Sequence, residues 1–207
     1  MPNKSRSPRL RGKPWRAYII SASVGAARPV LEEQHNQIQP SWSPDGQSLI
    51  ISYLHWLETT TPGIIVVHLD IQRVKRLPDS KNVWEAVWSQ RGWYIAARTL
   101  DLHAIMLFDL LLGSGWKWER AIQSFLQWSA DGHYVYFKRM GNQAAILRVC
   151  VKNRRVEEIV SLRNIKYTRF TGGTWFGLTP DGSPLLLHDT GTEEIYALDW
   201  KAPKARQ

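Results

Sequence analysis

The chain has 207 residues, 43% of them apolar and 22% charged, with a formal net charge of +9. That balance is ordinary for a globular protein and excludes a disordered, collagen-like or disulfide-scaffold chain. The single cysteine, Cys150, excludes an internal disulfide and a four-cysteine zinc site, and no apolar run reaches the length of a membrane span.

The chain opens on a basic segment, residues 1–16, with Lys4, Arg6, Arg9, Arg11, Lys13, Arg16 and no acid. It closes on another, residues 201–207, with Lys201, Lys204, Arg206 and no acid. Between them the charges cancel, so the basicity belongs to two tails expected to be unstructured. Such tails are also where nucleic acid or an anionic surface would be held. The first segment lacks the apolar core of a signal peptide, so the expectation for the chain as it stands is cytoplasmic.

Residues 17–31 (AYIISA onward) are expected to supply two strands of a partial unit. Three full repeats follow over 38–78, 84–122 and 124–160, and another partial one over 174–200. Each repeat opens on one pattern: SWSPDG from Ser41, VWSQRG from Val87, QWSADG from Gln127 and GLTPDG from Gly177. Trp42, Trp88 and Trp128 share a column before the turn, with Leu178 in the fourth copy, at spacings of 46, 40 and 50 residues. A period of this size suits a four-stranded propeller blade. Asp45-Gly46, Asp131-Gly132 and Asp181-Gly182 suit hairpin turns needing positive φ; Arg91-Gly92 keeps only the glycine.

After each turn comes an apolar strand expected to be buried on both faces: Leu49–Tyr53, Tyr94–Ala97, Tyr134–Phe137 and Leu185–Leu187. A third strand ends at a column holding Asp70, Asp109 and Asp199, with Cys150 in the remaining full copy. There a carboxylate can accept backbone N–H groups. A polar outer strand completes each repeat at Val74–Leu77, Lys117–Ala121 and Val156–Val160; its charges discourage edge-to-edge pairing. The repeated tryptophans are expected at equivalent buried sites between blades.

The copies W-S-P-D-G, W-S-x-x-G and W-S-A-D-G, each with its following strands, resemble the TolB-type WD40-like β-propeller repeat over about residues 17–200. The resemblance implies an all-β ring of four-stranded antiparallel blades used for protein contact. It is most similar to the propeller end of bacterial winged-helix or kinase-linked regulators. About four blades are present where the resemblance implies six, so an incomplete ring is expected, with open edges inviting self-association.

Catalytic signatures are absent: no G-x-S-x-G, no G-x-x-x-x-G-K-[ST], no H-E-x-x-H. Gly113-Ser114-Gly115 is expected as a short loop beside an outer strand, and His188-Asp189 as a turn contact. No cofactor or metal is expected. The longest irregular link, 161–174, carries Arg163, Lys166, Tyr167, Arg169 and Phe170 as a possible binding loop for phosphate or an acidic peptide. Tryptophans outside the repeat column, such as Trp93 and Trp116, would mark a binding face if exposed together. The expected function is a non-catalytic interaction module with a protein partner. The alternatives are a propeller whose hydrolase domain lies elsewhere, and nucleic-acid binding through the tails.

Overall fold

The computed structural model describes residues 14–23, 25–33, 35–53, 62–119, 126–167 and 175–192. Among them every regular element is a strand. The tails 1–13 and 201–207, Arg169, Phe170 and Asp199 lie outside the described residues.

A leading hairpin pairs β1 (Tyr18–Ile19) with β2 (Arg28–Pro29). The first blade is β3 (Gln37–Trp42), β4 (Ser48–Tyr53), β5 (Gly63–His68) and β6 (Arg73–Arg76). The second is β7 (Val83–Trp88), β8 (Tyr94–Thr99), β9 (Ala104–Asp109) and β10 (Ser114–Glu119), and the third β11 (Gln127–Trp128), β12 (Tyr134–Arg139), β13 (Ala145–Cys150) and β14 (Val156–Ser161). A last hairpin joins β15 (Phe176–Leu178) to β16 (Pro184–Leu186). Each full blade is an antiparallel meander in sequence order, as short turns dictate. The Gly of the first turn has positive φ in all four copies, from +68° at Gly46 to +85° at Gly182. That conformation costs glycine no steric energy.

The cores lie between blades, not within them. Leu49, Ile51 and Tyr53 of β4 pack with Ala17, Val30 and Leu31 of the leading segment. Ile50 points the other way, with Ile64, Val83, Ile95 and Phe108 in the seam between the first and second blades. Ala96, Leu107, Trp128, Val135 and Phe137 fill the seam between the second and third. Tyr136, Ile146, Leu162 and Phe176 fill the seam after that. Side chains alternate across a strand, so a middle strand needs apolar residues at every position. All six residues of β4 are buried.

Three expectations change. The third-strand column is set by pairing with the second strand: Ser48 faces His68, Tyr94 faces Asp109 and Tyr134 faces Cys150. His68, not Asp70, is therefore the counterpart of Asp109, and Asp70 lies two residues beyond, in the turn. The Ser114–Gly115 part of the expected loop is strand instead. Asp109 Oδ1 accepts the N–H groups of Leu111 and Leu112, Gly113 closes the turn with φ +64°, and Ser114 already pairs with Asp109. In the last hairpin Leu185 and Leu187 are exposed rather than buried on both faces.

The tryptophan column is not uniform either. Trp128 is 8% exposed; its Nε1 donates to the Val87 carbonyl and its ring stacks on Tyr94 of the second blade. Trp88 is half-buried and donates to the Gly92 carbonyl of its own turn. Trp42 is 51% exposed. The Trp128 indole depends on the blade before it, and among the described residues the unit before the first blade has two strands of two residues. Trp128→Ala is accordingly expected to cost about 3–5 kcal/mol, whereas Trp42→Ala should cost close to nothing. Urea denaturation of the two variants checks the contrast.

Candidate functional site

The Trp-Ser turns are self-contained structural devices. Ser43 Oγ donates to Asp45 (2.5 Å) and receives the Ser48 N–H (2.9 Å), while Asp45 also accepts the Gln47 N–H (3.0 Å). Ser129, Asp131 and His133 repeat this, as do Thr179, Asp181 and Ser183. In the second blade Ser89 receives the Tyr94 N–H with no aspartate present. The hydroxyl donors hold the carboxyls of Asp45, Asp131 and Asp181 below the ordinary aspartate range, aided by the backbone N–H groups. These aspartates serve the fold, not a ligand.

The face that carries these turns is the candidate site. In a four-stranded meander the turn between the first two strands and the turn between the last two emerge on the same side. There lie Trp42, Ile71 (63% exposed), Trp93 and the Leu111–Leu112 tip (77% each). Neighbouring turns abut: a Cβ on Gly92 would meet Pro44 at 3.7 Å, and one on Gly132 would meet Arg91 at 3.9 Å. The Arg91 guanidinium lies 5.4 Å from the Trp93 ring centre. On the third blade the same face turns basic, with Lys152, Arg154 and Arg155 exposed. The result is an apolar, tryptophan-containing surface flanked by cations. Sequence reasoning singled out Trp93 but not Ile71, Leu111 or Leu112, which only the shared direction of the turns brings onto the same face.

The loop expected to bind behaves differently. Arg163 and Lys166 are exposed, but Tyr167 is buried, its backbone bridging His188. Its ring lies 3.4 Å from Lys138 Nζ, a fully buried cation. Tyr167 is thus committed to Lys138 and does not join Arg163 and Lys166 on a surface. Asp189 accepts the Gly191 N–H, a turn contact.

A buried polar column escaped the sequence reading. Ser52, Arg98 and Lys138 occupy the fifth place of successive second strands, a signal visible as SLIIS, YIAAR and YVYFK, whereas His188 at the same place in PLLLH is exposed. Arg98 is ion-paired with Glu85, both sealed from solvent, and its guanidinium lies 5.1 Å from the Trp84 ring centre. Burial pushes the Arg98 guanidinium down, and the Glu85 carboxylate pulls it back. Gln39 Nε2 of the first blade donates to Glu85 Oε1 at 2.9 Å. Gln39 and Glu85 sit in matching bulges three residues before Trp42 and Trp88, with φ +49° and +52°. Backbone strain of this kind persists only where surroundings enforce it.

The seam between the first and second blades also holds a cavity of about 180 Å³. Apolar Val66, Leu77, Phe108 and Leu110 line it, with Lys75 from β6 and Gly115 from β10. In the next seam the equivalent positions are Trp116 and Val156, both packed into the core. Lysine and glycine leave unfilled what tryptophan and valine fill. Among the described residues no group of three or more His, Cys, Asp or Glu side chains could hold a metal, and no helix is long and apolar enough to cross a membrane.

Solved structures share this architecture. TolB from Acinetobacter baumannii superimposes with a TM-score of 0.58 at 20% identity, over 86% of this chain and 49% of its own. The putative TolB from Agrobacterium tumefaciens gives 0.56 at 18% identity, over 83% and 64%. The tricorn protease gives 0.60 at 14% identity, over 81% of this chain and 16% of that one. This chain thus spans between half and two thirds of the two TolB structures. At such identities the likeness shows the fold, a TolB-type β-propeller built of four-stranded blades. No protein-family model and no curated protein matches the sequence.

Two measurements follow from the site. The stability contributed by Asp45, Asp131 and Asp181 is present above their ordinary value of 3.8 and is lost as pH falls through their lower folded values. Replacing all three by Asn should therefore flatten the fall in urea midpoint below about pH 4. Glu85→Gln leaves Arg98 buried without a counter-charge and is expected to cost about 3–5 kcal/mol. Adding Arg98→Met should restore most of that loss in the same assay.

Proposed function

We propose that this propeller is a non-catalytic protein-interaction module of a bacterial regulatory or envelope protein, and that its partner docks on the turn face. The observation that carries this reading is the exposure of Trp42, Ile71, Trp93, Leu111 and Leu112 on one side of two adjacent blades. Exposed apolar groups gathered on one face mark interaction sites, and aromatic residues with arginine are the usual anchors. Arg91 beside Trp93 supplies that pairing. The rest of the chemistry is consumed internally: the turn aspartates by their own hydroxyls and amides, Arg98 by Glu85, Lys138 by Tyr167. The TolB-type fold supports the same reading.

Replacing Trp93 and Leu112 together by Ser tests it. The two residues should be dispensable for folding and central to binding. In a quantitative affinity capture from bacterial extract, the specifically retained partner should fall more than tenfold, with the urea midpoint unchanged. Equal retention by the double variant would overturn the assignment of this face.

A further inference from the structure

The geometry points to β6, the outer edge of the first blade, as a second docking site: an extended acidic segment of a partner protein adds there as a fifth strand and places one apolar side chain in the neighbouring cavity. This rests on the interaction-module reading and adds a surface distinct from the turn face.

Three observations converge. The first is the free edge. All four residues of β6, Arg73-Val74-Lys75-Arg76, are exposed, and among the described residues no strand lies beyond them in the sheet. The Leu77 N–H bonds the Ile64 carbonyl. By the alternation of an antiparallel ladder, Val74 then aims its N–H and C=O groups away from β5, where an added strand would pair.

The second is charge. β6 carries three cations and no acid, whereas the equivalent edge of the third blade carries Glu157 and Glu158. Arg76 donates to the Pro62 carbonyl, which leaves Arg73 and Lys75 as the principal electrostatic contacts. Like charge opposes pairing of β6 with β6 of a second copy and selects an acidic strand.

The third is the cavity. Lys75 shares its face of the sheet with Val66, and both line the 180 Å³ space closed on the far side by Ser114 and Gly115. A strand added outside β6 would present every second side chain toward that space. The space opens to solvent and is also lined by His68 and Arg76, but its volume exceeds the roughly 150 Å³ that accommodates a benzene ring, so a phenylalanine or leucine side chain has room. Of the carboxylates in the lining, Asp109 is occupied by the Leu111 and Leu112 amides, and Asp79 sits in the exposed turn after β6.

The test uses the full chain and a labelled peptide, Glu-Val-Glu-Phe-Glu-Val-Glu, followed by fluorescence anisotropy and amide exchange. Saturable binding is expected, with slowed exchange at Val74; the same peptide with Lys for Glu should not bind. Val74→Pro removes an outward N–H without touching the β5–β6 ladder, and should weaken binding at least tenfold. Arg73→Glu with Lys75→Glu, and Gly115→Val, which narrows the cavity, should each do the same. Unchanged affinity in these variants would show the peptide held elsewhere on the chain and overturn the site. So would absence of saturation, or a concentration-dependent dimer protecting β6. If Val74→Pro does not fold, the charge reversal and the exchange pattern decide. Peptide binding lost while Trp93→Ser/Leu112→Ser still abolishes partner capture would sink this site alone. Peptide binding kept while that capture is unaffected would sink the turn face alone.

Discussion

Burial between consecutive blades is the constraint on which the structure depends. A four-stranded sheet of this size has two faces to cover and nothing within itself to cover them with. The middle strands show the consequence: in β4, odd-numbered side chains go to one seam and even-numbered ones to the other. Four apolar clusters, each shared by two successive units, make a nearest-neighbour array in which every blade is stabilised by those beside it. The exposure of Trp42 and the burial of Trp128 are two ends of that dependence. The same column is most buried at Trp128, half-buried at Trp88 and most exposed at Trp42, where a short hairpin stands in place of a full preceding blade among the described residues.

The seams are built differently, and the differences carry the functional surfaces. Between the second and third blades, Tyr94, Trp116, Trp118 and Trp128 pack edge-on and stacked, with ring centres about 6 Å apart. Between the first and second, Lys75 and Gly115 replace two of the filling side chains, and a cavity remains. The buried polar column adds a further departure. Ser52 Oγ, Gln39 Oε1, Trp84 Nε1 and Arg98 Nε are sealed from solvent without hydrogen-bond partners. Such groups are costly. The Gln39–Glu85 hydrogen bond beside them ties the first two blades in one register.

Local chemistry keeps the turn face rigid enough to present its side chains. Each first turn is closed by a hydroxyl and, in three of four cases, a carboxylate, within a span of six residues. Each outer turn of the three blades has a positive-φ residue at its fourth position, Gln72, Gly113 or Arg154. Ile71 and the Leu111–Leu112 tip are therefore held out by backbone geometry, not left over by poor packing.

The sequence by itself determined what is decided within a few residues. The Ser-Asp-Gly turns, the apolar middle strands and the repeat period are local: a hydroxyl, a carboxylate and a glycine close together fix a turn wherever the chain goes. From these the propeller architecture was legible, and so was Trp93 as a candidate for exposure. Tertiary structure decided what depends on partners outside the immediate turn. The burial of Trp128 needs the Val87 carbonyl. Tyr167, which composition placed in a binding loop, turns inward, where its ring lies over the buried Lys138 ammonium. The counterpart of Asp109 is His68, because inter-strand hydrogen bonds, not resemblance of residue type, set the register. The cavity between the first two blades is lined by Lys75 from one and Gly115 from the other. Whether a position is filled or empty is a property of two blades together, and neither stretch of sequence contains it alone.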